Sequence, residues 1–260
     1  MFPSSRWNSC KSVKIPVINP GNMKIEEYIL HEDENLVAIN KPSGLLTIPD
    51  REGKDISLKQ ILKAKYGDIF TVHRLDKDTS GIVVFAKNEQ THKVLSGLFE
   101  ARETVKIYNG FVLGIPLQKS GIINEPIAEH PTKKGLMTVY KKGKESITEY
   151  EVLENFKLYS WMQFHILTGR THQIRVHMKY LGHPIVSDEL YGDGKPVYIS
   201  SVKRKKFNLS KDEESERPIL SRLALHASKL KFELGHQVYD LDAEPPKDLR
   251  ALLQQLRKNK

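Results

Sequence analysis

Cysteine is almost absent from this chain of 260 residues, since Cys10 is the only one, and tryptophan occurs only twice. A single cysteine can form neither an internal disulfide nor a cysteine-based zinc knuckle, so a reducing, cytoplasmic location is the expectation. No apolar run approaches the roughly 20 residues that a membrane helix needs. The first 22 residues also lack the apolar core and cleavage site of a signal peptide. We therefore expect no membrane partner.

Acidic residues are in deficit, with 32 Asp and Glu against 41 Lys and Arg, which gives a formal net charge of +9. Such a balance suits an anionic partner, with nucleic acid first and a membrane surface second. On charge alone, a basic surface without any partner is an equally good explanation. The hydrophobic fraction of 39% excludes a wholly disordered chain.

The chain divides into a short leader and one folded domain. Residues 1–22 have scattered apolar residues without a period, so we predict a disordered leader, and translation could start at Met1 or at Met23. Residues 23–260 show no linker and are predicted to form a single domain. Within it, residues 193–217 carry a basic run and then an acidic run, which is typical of an exposed, mobile insertion.

Hydrophobic periodicity predicts many short strands and few helices. Helices are expected at four places, namely residues 57–66, 94–99, 171–181 and 245–256. Strands are expected over 36–40, 69–72, 82–86 and 107–113 and through most of 122–165, and residues 223–230 and 238–241 are expected to add short elements. Because there is no regular βαβ alternation, the sequence predicts an α+β fold.

A first polar cluster, residues 72–81, lies between two predicted strands and reads Val-His-Arg-Leu-Asp-Lys-Asp-Thr-Ser-Gly. Asp76 in such a turn commonly binds nearby backbone N–H groups, a purely structural role. Alternatively, Asp76 lies at the mouth of a cleft as a nucleophile or an acid–base group, since carboxylates attack sugar or electron-poor ring carbons.

A second cluster, residues 168–177, reads Thr-Gly-Arg-Thr-His-Gln-Ile-Arg-Val-His on a predicted helix. Arg175 lies at the edge of the apolar stripe, where it could extend to solvent or could pair with a carboxylate of the site. His172 and His177 are five residues apart and therefore not on one helix face, so we expect no metal.

Five lysines lie close together in a predicted hairpin with no acidic residue before Glu145. They could form a solvated turn or bind a phosphate backbone. They are Lys133, Lys134, Lys141, Lys142 and Lys144.

Read together, the two clusters resemble the RluA family of pseudouridine synthases. Residues 73–76 with 79–81 match that family's HRLDxxTSG signature, and residues 169–177 with 182–185 match its second hallmark. Smaller agreements occur in the family's order, in residues 40–44, 188–192 and 225–227 and in the pair Lys106 and Tyr108. The resemblance covers residues 28–256 and implies a central mixed, mostly antiparallel sheet flanked by helices and loops.

The resemblance implies that the domain is catalytic and that it isomerises uridine in RNA, from rRNA or tRNA, to pseudouridine without any cofactor or metal. Asp76 matches the catalytic aspartate, whether it attacks C1′ or C6 or acts through a glycal. Arg175 matches its arginine partner. Tyr108 matches the tyrosine that stacks on the base and is a candidate for deprotonating C5.

The remaining expectations concern RNA contacts and assembly. Arg74 matches the arginine that enters the RNA where the nucleotide has flipped out, and flipping is needed to bring a base to Asp76. The leader is too short for the RNA-binding domain of longer relatives, so the catalytic domain must bind RNA itself. We expect a monomer. Further substrate contacts are predicted at His73, Thr79, Arg170, His172, Lys133, Lys134 and Lys141.

Two other hypotheses remain at this stage. One is an RNA-binding protein with an inactive site, and the other is a metal-dependent hydrolase that uses the histidines.

Overall fold

The computed structural model describes residues 23–50, 53, 55–203 and 216–260. The predicted leader, residues 1–22, lies outside the described residues. One turn of 3₁₀ helix, Ile25–Tyr28, precedes the first strand. The α-helices of the described residues are α1 (Leu58–Tyr66), α2 (Glu89–Ala101), α3 (Gln173–Tyr180), α4 (Ile199–Val202) and α5 (Lys247–Lys258).

Strands account for most of the regular structure. The first seven are β1 (Ile29–Glu32), β2 (Leu36–Lys41), β3 (Phe70–Thr71), β4 (Ser80–Ala86), β5 (Val105–Leu113), β6 (Ser120–Asn124) and β7 (Ile127–Glu129). The other seven are β8 (Met137–Val139), β9 (Ile147–Asn155), β10 (Tyr159–Ile166), β11 (Val197–Tyr198), β12 (Pro218–Leu220), β13 (Leu225–Leu234) and β14 (Gln237–Asp242).

One sheet organises the part of the chain that the structure describes. It has ten strands in the order β1-β2-β4-β13-β5-β10-β9-β6, with β14 paired to β13 and β3 paired to β4. Every pairing in it is antiparallel apart from the parallel contact of β13 with β4. The predicted α+β fold with a mixed, mostly antiparallel sheet is thereby confirmed.

Both faces of the central strands are covered, which explains the continuous apolar run in β4. Val83 and Phe85 pack into the core under α1, whereas Ile82 and Val84 pack into the opposite core with α2 and β14. Successive strand residues point to opposite faces, so a strand buried on both sides cannot alternate polar with apolar. A third core lies between α3, α5 and the long strands β5, β9 and β10.

Helix boundaries follow local chemistry. Ser57 caps α1 in a reciprocal capping box with Gln60, so the helix begins at Leu58. The helix predicted over 171–181 starts later, at Gln173, because His172 adopts left-handed backbone angles with φ 57°. It ends at Tyr180, and Gly182 follows with φ 83°, the left-handed conformation in which glycine commonly ends a helix.

The prediction of an exposed insertion over residues 193–217 is wrong at β11, which pairs with β12. Val197 is buried and pairs with Leu220, and Tyr198 pairs with Pro218. The side chain of Glu216 also accepts a hydrogen bond from the Ser200 N–H group. Residues 204–215, with most of the basic and acidic runs, lie outside the described residues. None of the helices in the described ranges combines the length and the hydrophobicity needed to cross a bilayer.

Candidate active site

The turn that carries Asp76 is held by the loop that follows β2. The Thr47 hydroxyl donates to the Leu75 carbonyl at 2.9 Å, and the Leu75 N–H group donates back to it at 3.2 Å. Gly44 N–H donates to the Lys77 carbonyl at 2.9 Å. Hydrogen bonds on both sides of Asp76 therefore fix the backbone from which its side chain projects.

A buried lysine joins these two segments. Lys41 at the end of β2 is fully buried, and its ammonium donates to the carbonyls of Pro42, Leu45 and Lys77 at 2.7 to 3.0 Å. Three acceptors match the three N–H groups of an ammonium. Lys41 thus satisfies its charge with main-chain dipoles and holds the Asp76 turn against the 42–45 turn.

The parallel junction of β4 and β13 brings the site to the middle of the sheet. Gly81 has φ 118°, and a side chain there would begin 2.2 Å from the Ala227 carbonyl oxygen, so only glycine permits this approach. Ala227 in turn lies opposite Tyr108 on β5. The close contact therefore places Tyr108 two strands away from the end of the Asp76 turn.

Asp76 lies in a small cavity, where its side chain is 23% exposed. Arg175 Nη1 lies 3.4 Å from Asp76 Oδ2, and His172 Nε2 lies 3.9 Å from the same oxygen. Within the described residues, the carboxylate of Asp76 accepts no backbone hydrogen bond, which argues against the purely structural role of a turn aspartate. The cavity is lined by Arg74, Leu75, Asp76, Thr79, Tyr108, Ile166, Gly169, Arg170, His172, Gln173, Ile174, Arg175 and Leu225.

Arg175 is an interior residue, 4% exposed, so the interpretation that it extends to solvent is wrong. Its Nε and Nη2 both donate to the fully buried Asp188 carboxylate at 2.8 Å, which leaves Nη1 to face Asp76. Burial alone would lower the pKa of Arg175, but the hydrogen bonds and charge of Asp188 outweigh burial and raise it. The guanidinium is therefore a permanently charged, fixed partner for Asp76.

His172 faces Asp76 with Nε2, and contacts on the other side of the ring hold it in this orientation. Its Nδ1 lies 2.8 Å from the Tyr191 hydroxyl, which accepts the Met137 N–H bond at 2.9 Å. While it accepts from Met137, the hydroxyl can also donate its proton to Nδ1, and in that tautomer the ring N–H is on Nε2, toward Asp76. Burial lowers the pKa of His172, although the charge of Asp76 opposes the shift.

Tyr108 and Thr79 complete the cavity walls beside Asp76. Burial raises the pKa of the Tyr108 phenol, and the negative charge of Asp76 raises it further, so the side chain remains protonated at neutral pH. Thr79 is buried, and its N–H group donates to the Asp76 carbonyl at 3.2 Å. Thr79 therefore closes the turn through its backbone.

The other predicted substrate contacts in the two motifs have different surroundings. Arg74 is exposed and lines the cavity rim. Arg170 lines the same rim, with Nε donating to the Glu145 carbonyl at 2.9 Å. His73 accepts the Val84 N–H bond through Nε2 at 3.1 Å and stacks on Phe99, and burial lowers its pKa to about 3. His73 therefore fixes the strand beside the motif as a neutral ring.

The interpretation of the histidines as a metal site has no support from the contacts of His177. Its Nδ1 lies 2.9 Å from the Thr148 hydroxyl and its Nε2 lies 2.9 Å from the Glu125 carbonyl. Both ring nitrogens thus serve to anchor α3. Across the described ranges, no group of three or more His, Cys, Asp or Glu side chains is placed to hold a metal ion.

The lysine hairpin is the β7–β8 pair with the turns at its two ends. Lys133 and Lys134 lie in the turn between the strands, and Lys141, Lys142 and Lys144 lie in the segment after β8. All five are at least partly exposed. The hairpin packs on α3 through an apolar cluster that includes Val176 and Tyr191, so it lies next to the cavity wall but does not line it.

Asp188, Tyr191 and Lys41 serve the site in ways that the sequence alone does not show. Asp188 and Tyr191 belong to a matched motif that assigned them no role, yet they orient Arg175 and His172. Lys41 likewise belongs to a matched motif, and nothing in the sequence signals its burial. In the sequence, the one sign of a shared role is that Asp188 and Tyr191 lie close together after a predicted helix. In the structure, the Asp188 carboxylate accepts the Tyr191 N–H bond at 3.1 Å and so holds the two residues together.

Comparison with known proteins gives a consistent result. A model of the RNA pseudouridylate synthase family matches residues 35–180, more than half of the chain. Ribosomal large subunit pseudouridine synthase D of Buchnera aphidicola is 35% identical over 257 residues, which cover 94% of this chain and 77% of that protein. The Haemophilus ducreyi protein of the same name is 36% identical, over 88% of this chain and 70% of its own length.

Solved structures agree with this assignment. Human RNA pseudouridylate synthase domain containing 4 has a TM-score of 0.68 at 26% identity, covering 90% of this chain and 94% of the human one. Human RNA pseudouridylate synthase domain containing 1 has a TM-score of 0.66 at 25% identity, covering 88% of this chain and 94% of the human one. This chain therefore belongs to the RNA pseudouridylate synthase family and is an enzyme that isomerises uridine in RNA.

Proposed function

We propose that the target uridine lies in large-subunit ribosomal RNA and that Asp76, Tyr108 and Arg175 carry out its isomerisation. The observation that supports the catalytic assignment is the partly exposed Asp76 carboxylate, which shares one cavity with the fixed guanidinium of Arg175 and the phenol of Tyr108. The choice of RNA rests on relatives at 35% and 36% identity, which are named for the large ribosomal subunit.

The reaction breaks the bond from N1 of uracil to C1′ and forms a bond from C5 to C1′, and the C5 proton ends on N1 or in solvent. Asp76 would act as the nucleophile or as the base that starts glycosidic cleavage. Arg175 holds the carboxylate in position through its fixed positive charge, with Nη1 3.4 Å from Asp76 Oδ2. The reaction is redox-neutral, so these side chains need no organic cofactor or metal.

Tyr108 would hold the uracil while it turns. An aromatic face tolerates a rotating base, because stacking does not depend on one hydrogen-bond register. Since the phenol remains protonated at neutral pH, its oxygen acts as a hydrogen-bonding group that can relay the C5 proton. Arg74, exposed at the cavity rim, would enter the space that the flipped nucleotide leaves in the RNA.

The proposal extends to assembly and location. We expect a monomer, because the residues named above all lie within one chain, and light scattering of the purified protein checks it. A cytoplasmic location fits relatives named for ribosomal RNA.

The test is pseudouridine mapping in RNA from a strain that lacks this protein, complemented with the wild type or with Asp76→Asn. We expect one or more large-subunit positions to lose pseudouridine in the deletion strain and to regain it with the wild type alone. Loss confined to tRNA would reject the choice of RNA. Restoration by Asp76→Asn would reject the catalytic assignment.

A further inference from the structure

A second concave surface opens beside the catalytic cavity. This groove encloses about 460 Å³, against about 70 Å³ for the cavity. The two share walls, since Arg74, Tyr108, Ile166, Gly169 and Arg170 line both. Binding sites for larger ligands commonly enclose about 300 to 1,000 Å³, so the groove has room for chain that the cavity does not.

Lys106 on β5 is the unusual residue of the groove. It is only 9% exposed, yet across the described part of the chain its ammonium has no hydrogen bond and no acidic partner within 4 Å. Its Nζ atom lies 5.7 Å from the centroid of the Phe99 ring. Buried charges are ordinarily paired, so a buried ammonium that faces a groove without a partner suits an anionic ligand.

Other charges in the groove favour the same kind of ligand. Arg74, Arg102 and Arg170 line it with Lys106, whereas Glu100 is its one acidic residue among the described ones. Arg102 is paired with Glu145, outside the lining. Burial lowers the pKa of Lys106 and the charge of Arg102 lowers it further, a cost that a bound anion would offset.

We propose that this groove binds the RNA strand beside the target nucleotide and that Lys106 holds a backbone phosphate there. The inference rests on the proposed function, because the groove continues from the cavity that receives the flipped uridine. A strand that leaves the cavity past Tyr108 and Arg170 enters the groove directly, and its phosphates are the anions that this chain must bind. Lys106 is then a substrate-binding residue.

The experiment measures RNA binding by Lys106→Met across a salt series, with an in vitro transcript of large-subunit ribosomal RNA as the probe. Methionine keeps most of the length of the side chain and removes its charge. We expect binding to weaken about tenfold at low salt. The slope of log K against log salt should fall by about 0.7, as for one single-strand phosphate contact. KM should rise, and kcat at saturating RNA should stay within about twofold.

Two variants control this measurement. Lys106→Arg keeps the charge and should keep the slope. Lys231→Met removes an exposed lysine on β13 that is paired with Val105 and therefore points to the opposite face of the sheet. It should leave both slope and affinity unchanged.

A second measurement on the wild-type enzyme does not depend on whether variants fold. Reductive methylation with and without the transcript should show Lys106 protected by RNA and Lys231 equally reactive in both. An unchanged slope in Lys106→Met, an equally reduced slope in Lys231→Met, or no protection of Lys106 would overturn the inference. So would a lower kcat at unchanged KM. Absence of pseudouridine from the wild-type reaction would instead reject the proposed function.

Discussion

The catalytic cavity and the groove beside it each contain a buried cation, but the two cations differ in their partners. Arg175 donates two hydrogen bonds to Asp188 and turns its third nitrogen toward Asp76. Lys106, almost as remote from solvent, contacts an aromatic ring and no anion among the described residues. A charge that is paired within the chain fixes the orientation of its side chain, whereas an unpaired charge is available to a ligand.

Lys41 sharpens this comparison, because it is a second buried lysine that has no ion-paired acid within the part of the chain that the structure describes. Three carbonyl oxygens satisfy its ammonium. Burial and absence of a paired acid are therefore not sufficient to identify a ligand site. The open groove next to Lys106 is what distinguishes it.

Removal of Asp188 should break the paired side of the comparison and have the largest effect. Asp188→Ala removes both short hydrogen bonds of the buried Arg175 cation and leaves only its 3.4 Å contact with Asp76, which should lower the free energy of unfolding by about 3 to 5 kcal/mol. Arg175 would also lose its alignment to Asp76, so kcat should fall about 100-fold. Urea unfolding and single-turnover kinetics measure both. Glu189→Ala, at the exposed next residue, is the control, and wild-type kcat in Asp188→Ala would contradict the account.

Lys41→Met should have the next largest effect. The substitution leaves buried carbonyls without their donor and frees the Asp76 turn, and we expect the free energy of unfolding to fall by about 2 to 4 kcal/mol. Lys63→Met, on the exposed side of α1, serves as the matched control. If Lys41→Met were as stable as the wild type, the ammonium would not be holding the two turns together.

His226 should make the interior of the site sensitive to acid. It is fully buried between the Ser80 hydroxyl and the Ala243 carbonyl, and burial lowers its pKa from 6.5 to about 4. Below pH 6.5 the unfolded chain binds a proton that the folded chain does not, so stability falls as pH falls from 6.5 to 4. The decrease should reach about 2 to 3 kcal/mol.

The measurement is the free energy of unfolding at a series of pH values, for the wild type and for His226→Gln. The glutamine variant should show a flatter profile between pH 6.5 and 4, whatever its stability at pH 7. Parallel profiles would mean that His226 is not the group that titrates.

Exposed lysines of the hairpin should give the smallest effect. Changing Lys133, Lys134, Lys141, Lys142 and Lys144 together to Ala should lower the salt slope of RNA binding by about 0.7 for every phosphate that these side chains bind in the wild type. Stability and kcat should hardly change, because none of the five lines the cavity. An unchanged slope would show that the hairpin does not touch RNA.

The sequence predicted the positions of the chemistry better than their partners. Periodicity located the strands around Asp76 and the helix that carries Arg175, since burial patterns are local. It could not predict that Arg175 would be interior, because its pairing with Asp188 depends on how the chain folds back after α3. The pairing of Val197 with Leu220 was missed for the same reason, because it joins two short strands that are far apart in the sequence.

Backbone conformation and burial were similarly inaccessible to pattern alone. His172 looked helical, but its left-handed angles delay the start of α3, and its ring lies between Tyr191 and Asp76, which are distant in sequence. That Lys106 is buried without an acidic partner among the described residues follows only from the way β5, α2 and the second motif surround one groove.

Tritium release from RNA labelled at C5 of uridine is the direct assay of catalysis by Asp76, because formation of the bond from C5 to C1′ expels that hydrogen. Wild-type enzyme and Asp76→Asn would be compared in single turnover on the large-subunit transcript, with binding measured in parallel. We expect Asp76→Asn to bind the transcript as the wild type does and to release no tritium above background. Release at the wild-type rate would contradict it.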